Sequence, residues 1–286
     1  MFQKLMDDIK DAGLCVHGVE LRRFGDVADR FFFHEDKAYP VYSATKSVTS
    51  AAVMSAIADG KLSMDDKLYT YLDSKYLPLM SDAFKSLSFH DFMTMTAAPY
   101  PFRPEGGDWI KNILELDVDY SDRGYHYSNI PAYLVGAACE NALGRPLIEY
   151  LTERIFKPMD IPTPEYRTSP EGHFYGATGL TLTLENFGKL GELFLQNGCY
   201  GSKQLIPEEL VKEAVTEKVK TDDGGYGYFF PTNDIGFSIR GKWGQRSMIC
   251  PRKQTVVTCL CDLPHNTGGI YERQLYAMID DFIKSI

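Results

Sequence analysis

The chain has 286 residues, 44% hydrophobic and 13% aromatic. This is the composition of a globular protein with a sizeable core and excludes a disordered chain. A net charge of −9 with no dense run of Lys or Arg excludes the basic surface that nucleic acid or an anionic membrane requires, so the expected partner is a small molecule.

Residues 1–13, MFQKLMDDIKDAG, put Phe2, Leu5, Met6 and Ile9 at helical spacing with charges between them. That pattern predicts an amphipathic helix and not the apolar core of a signal peptide. No later stretch approaches the length of a membrane span. The expected compartment is therefore the cytoplasm, unless the chain is the mature form of a secreted precursor. LCVHGVELRRFG and ADRFFFHE read as two strands joined by a Gly-Asp turn. A helix over Ser43 to about Asp59 follows, with Gly60 as its stop.

From about Asp65 to Lys218 the patterns are mostly helical, broken by Pro, Gly and Asp. GYGYFF, DIGFSIRG, QRSMICP and QTVVTCLCDL then read as consecutive antiparallel strands, and a final helix aligns Tyr271, Leu275, Met278, Ile279, Phe282 and Ile286 on one face. This order predicts an α/β (α+β) architecture, with one antiparallel sheet flanked by terminal helices and a mostly helical region in the middle. The expected division is a discontinuous sheet domain of residues 1–60 and 219–286 and a helical domain of residues 61–218, with the active site at their seam. No pattern specifies an oligomeric state.

Six cysteines (Cys15, Cys139, Cys199, Cys250, Cys259, Cys261) include no C-x-x-C pair and no nearby His at metal-ligand spacing. They are expected to be buried structural thiols and not a disulfide framework or metal site. The six histidines, among them His17 and His34, are isolated in the sequence, and none is assigned a catalytic role.

Ser43 and Lys46 are three residues apart, on one helix face, which puts the amine beside the hydroxyl. A desolvated amine there is neutral enough to accept the serine proton, and the free N–H groups of the helix start favour developing negative charge. A serine N-cap followed by a solvated lysine produces the same tetrapeptide. GYHYSNIPAYLVGAACE sets Tyr127 and Asn129 in a loop before a helix: a phenol near amines can relay protons, and the amide can bind a carbonyl. A core tyrosine and an Asn cap is the alternative. SIRGKWGQRSMICP sets Lys242, Trp243, Gly244 and Gln245 at a strand start, where Gly244 admits a ligand to the backbone and the Gln245 N–H can face a substrate oxygen.

Ser-x-x-Lys, Tyr-x-Asn and Lys-x-Gly in this order resemble the serine β-lactamase and penicillin-binding-protein superfamily. The likeness is to its class C β-lactamase-like branch, which includes family VIII carboxylesterases and some DD-peptidases. It extends through AIADGKLSMDDKL, YLTERIFKPMDIPTPEY and GATGLTLTLENFGKLGELFLQNGCYGSKQLIPEE, covering most of residues 10 to 285.

The resemblance implies a β-lactamase/transpeptidase-like fold and acyl transfer through an acyl-Ser43 intermediate. Lys46 and Tyr127 would be the base system, Asn129 would orient the substrate carbonyl, and Lys242 would keep Tyr127 acidic. The backbone N–H groups of Ser43 and Gln245 would form the oxyanion hole. It implies no metal and no organic cofactor.

Trp243 stands where penicillin-recognising relatives have Thr or Ser, so the hydroxyl that helps bind a β-lactam carboxylate is missing. TMTAAPY stands where relatives often have a His-Thr-Ser-Gly segment, and the chain is shorter than many class C enzymes. These departures favour an ester or small amide over a β-lactam. The alternatives are a β-lactamase or DD-peptidase, or a sensing domain of the same fold that does not turn over.

Overall fold

The strand Thr255–Cys261 explains how the sheet is layered. Val256 and Leu260 point to one face, Val257, Cys259 and Cys261 to the other, and all are buried. A strand covered on both faces reads as a nearly continuous apolar run, as this one does. It pairs with Val16–Arg23, Val19 opposite Cys259, so the two ends of the chain meet inside the sheet.

The computed structural model describes residues 1–286. Its strands are β1 (Val16–Arg23), β2 (Asp26–Phe32), β3 (Tyr39–Pro40), β4 (Thr181–Leu182), β5 (Cys199–Tyr200), β6 (Lys203–Gln204), β7 (Val219–Thr221), β8 (Gly224–Tyr226), β9 (Pro231–Thr232), β10 (Phe237–Arg240), β11 (Arg246–Cys250) and β12 (Thr255–Cys261). Its helices are α1 (Phe2–Asp11), α2 (Thr45–Ala58), α3 (Asp82–Lys85), α4 (Phe89–Met93), α5 (Trp109–Leu114), α6 (Ile130–Leu143), α7 (Leu147–Leu151), α8 (Leu184–Leu195), α9 (Glu208–Val215) and α10 (Ile270–Ser285). Eight strands form one sheet in the order β2-β1-β12-β11-β10-β9-β8-β7, every pair antiparallel. The mixed architecture with its antiparallel sheet and terminal helices is the one expected.

α1 and α10 cover one face, packing Leu5, Met6, Ile9, Leu275, Ile279 and Phe282 against Val19, Leu21, Met248 and Val257. The other face carries α8, whose Phe187, Leu190 and Phe194 share a core with Val256 and Leu260. α8 belongs by sequence to residues 61–218, yet it lies on β1, β11 and β12. Its Gly188 permits this approach: a Cβ there would sit 1.9 Å from Glu20 Oε1. Glu20, fully buried on β1, pairs with Arg22 at 2.6 Å and with Arg30, and Arg22 also pairs with Glu192 of α8.

Two strands of the eight-stranded sheet were not expected from the sequence. β7, at the edge, and β9, between β8 and β10, are short and only partly buried, so neither has an alternating pattern to read. The helix read through Lys218 ends at Val215, because Thr216 turns extended to enter β7. No helix is long and apolar enough to cross a membrane. All six cysteines are free; four are buried, whereas Cys15 is exposed and Cys199 intermediate.

Candidate active site

α2 is buried along nearly its whole length, from Thr45 to Ala56, and packs against α6, α7 and α9. Several of its polar residues are matched to backbone. Thr49 Oγ1 donates to Gly176 O at 2.7 Å, and Ser47 Oγ donates to Phe229 O at 2.7 Å. Buried polar groups need such partners.

Ser43 sits on a single 3₁₀ turn, Tyr42–Ala44, that runs into α2. Tyr42 is left-handed, with φ 49°, which costs roughly 1–2 kcal/mol for a residue with a Cβ. Its ring is held edge-on to Trp243 at 4.6 Å, and the Lys242 amine lies 4.9 Å above it.

Lys46 is 1% exposed. Its Nζ donates to Asn129 Oδ1 at 2.6 Å and to Ala177 O at 3.0 Å, and lies 3.1 Å from Ser43 Oγ. Burial pulls the Lys46 pKa down, and the neighbouring Tyr127 partly offsets that effect. A neutral amine has two N–H donors and one lone pair. With Asn129 and Ala177 taking the donors, the lone pair is left for the Ser43 hydroxyl.

The Tyr127 ring lies 4.9 Å from the Lys46 amine and is 38% exposed, so it faces both the buried amine and solvent. Asn129 is buried. Its oxygen is turned to Lys46, and its Nδ2 lies 3.4 Å from the Tyr175 hydroxyl. Ser43, Lys46, Tyr127 and Asn129 thus come together around one point.

The turn 241–245 packs beside the Ser43 turn. A Cβ on Gly241 would sit 2.1 Å from Val41 O and 3.2 Å from Gln245 Cβ. The backbone N–H groups of Ser43 and Gln245 donate to no group of the protein. The Gln245 side chain is buried and tied to β12, donating to Cys261 O and accepting from Cys261 N at 3.0 Å. Gly244 has φ 93°, and an added Cβ would meet Leu263 at 2.7 Å, so packing beneath it also requires glycine.

Lys242 makes no hydrogen bond or ion pair with Tyr127 and lies instead 3.7 Å above the Trp243 ring. Burial and the nearby Arg167 lower its pKa. Trp243 is itself left-handed, φ 62°, and stacks on His265 at 3.5 Å.

Ser43 lines two recesses. The larger, about 660 Å³, is bordered by Asn129, Tyr175, Trp243, Lys242, Arg103 and Arg167. The smaller, about 190 Å³, lies on the side of Tyr127, Tyr226 and Arg240. The Ala177 carbonyl, Tyr175, Arg103, Arg167 and Arg240 did not emerge from the sequence. They lie on loops or a strand end away from the three motifs, and a backbone carbonyl leaves no signature in residue type.

A family model described as Beta-lactamase matches residues 12–279. The D-aminopeptidase of Brucella anthropi is 28% identical over 150 residues, which are 50% of this chain and 29% of that protein. The match therefore spans under a third of that relative's length. A penicillin-binding protein homologue from Caulobacter crescentus superposes with a TM-score of 0.78 at 16% identity, covering 99% of this chain and 96% of that one. The penicillin-binding protein from Bacillus halodurans gives 0.75 at 16% identity, over 97% and 99% of the two chains.

Proposed function

The chain belongs to the β-lactamase family, and from this premise we propose that it is a serine hydrolase that cleaves an ester or small amide through an acyl-Ser43 intermediate. The observation that carries the reading is the Lys46 amine, buried, 3.1 Å from Ser43 Oγ and with its two other hydrogen bonds already made.

Lys46 in its neutral form takes the hydroxyl proton as Ser43 Oγ attacks the substrate carbonyl. Charge then develops on the carbonyl oxygen, and the N–H groups of Ser43 and Gln245, which have no partner in the protein, are the donors available to it. Tyr127 passes the proton to the leaving alcohol or amine. A water then attacks the acyl-enzyme, loses its proton through Tyr127 and restores the Ser43 hydroxyl. The proton count closes without any other group.

Trp243 supplies a ring where a hydroxyl would bind a β-lactam carboxylate, which supports an ester or amide over a penicillin. Arg103, Arg167 and Lys242 outweigh Glu165 around the cleft, although the whole chain carries −9. That excess favours a substrate bearing a negative group away from the scissile bond.

Turnover of p-nitrophenyl butyrate and of nitrocefin tests the reading. The ester is expected to be cleaved at least tenfold more efficiently. Efficient nitrocefin turnover would contradict the argument from Trp243; a single acylation without turnover would make the protein a sensor.

A further inference from the structure

Away from the cleft, Cys15, His17 and His34 bring one ligand atom each to within 4.8 Å of one another. Cys15 and His17 are two residues apart at the start of β1, a spacing that favours one side of an extended chain. His34 follows β2 and donates its backbone N–H to His17 O at 3.1 Å, so the third side chain arrives across the hairpin. The Asp262 N–H donates to Cys15 O at 2.9 Å, which brings a carboxylate-bearing residue alongside.

His17 is oriented by stacking on Tyr39, with ring centroids 3.9 Å apart and planes 11° from parallel. Its Nδ1 is buried and has no hydrogen-bond partner.

We propose that Cys15, His17 and His34 form a binding site for Zn²⁺, with Asp262 or water in the fourth position. One thiolate with two imidazoles is a donor set that suits this ion. Zn–N and Zn–S lengths of about 2.0 and 2.3 Å put the donors of one thiolate and two imidazoles roughly 3.3–3.5 Å apart in a tetrahedral site. The cluster must therefore contract by up to about 1.5 Å, which rotation of the exposed Cys15 and His34 side chains supplies. Binding forms a Zn–S bond, releases the Cys15 proton to solvent and changes no oxidation state.

The ion would tie β1 to the end of β2, from which the chain runs through Tyr39 and Pro40 to Ser43. Pro40 lines the cleft, so the ion would fasten one of its walls without touching the reacting atoms. The sequence hid the site because the third ligand lies across a hairpin and not at a fixed spacing.

The full-length protein, stripped with a chelator, is titrated with Zn²⁺ against a chromophoric competitor, and separately with Co²⁺. One equivalent of Zn²⁺ should bind. Affinity should fall at least tenfold in Cys15→Ser and in His34→Gln, and the thiolate-to-cobalt charge-transfer band should vanish in Cys15→Ser, which keeps the other five cysteines. Ester turnover without metal should survive in both variants, which checks their folding. Equal Zn²⁺ affinity in wild type and both variants, or a cobalt–thiolate band that persists in Cys15→Ser, would overturn the assignment.

Discussion

At the scale of single residues, the chemistry proposed rests on Lys46. An ordinary lysine, with a pKa near 10.5, is charged at neutral pH and cannot take a proton; burial lowers that value here. Raising the pH converts Lys46 to its neutral form, so kcat/KM is expected to climb with pH through a midpoint below 10.5. Lys46→Arg keeps a charge that does not titrate and should remove this limb and lower kcat by about 10²–10⁴-fold. A pH–rate profile of wild type and variant checks both. The Ser-x-x-Lys spacing was legible because residue types carry it. The Ala177 carbonyl, which takes one amine proton, was not, since any residue could supply it.

At the scale of elements, the buried pair of Glu20 and Arg22 decides how α8 meets the sheet. Removing Arg22 leaves the buried Glu192 without its partner and Glu20 with Arg30 alone, and breaking such a group costs about 3–5 kcal/mol. Arg22→Leu is expected to lose that much in urea unfolding. Gly188→Ala should also destabilise the fold, because its methyl would overlap Glu20 Oε1.

The long strands β1, β11 and β12 and the helices α2, α6, α8 and α10 could be read from periodicity and caps. β7 and β9 could not, because two or three half-exposed residues have no period. The helical character of α8 was equally plain, but the sheet it would cover was not. The glycines that let it approach fit a loose helix as well as a close contact.

For the whole molecule, the N-terminal and C-terminal parts of the sheet are joined by pairing the first strand with the last, and the helices at both ends cover the same face. Ile279 is fully buried on that face. Ile279→Ala should cost about 2–5 kcal/mol, and a single cooperative transition with a lowered midpoint is the expected readout.

The charge of the molecule also has a local exception at the cleft. Arg167→Gln should raise KM for a substrate with a carboxylate and leave KM for a neutral ester unchanged, and the difference should shrink as salt is added. Two of the sequence motifs supply Ser43, Lys46, Tyr127 and Asn129, which the folded chain brings together. The cationic rim came from loops whose relative positions only the folded chain defines.

The central claim is that Ser43 is the nucleophile. Intact-mass spectrometry of wild type and Ser43→Ala after exposure to a fluorophosphonate tests it most directly. One adduct on the wild type and none on the variant is the predicted result. Equal labelling of both proteins, or no adduct on the wild type, would contradict it.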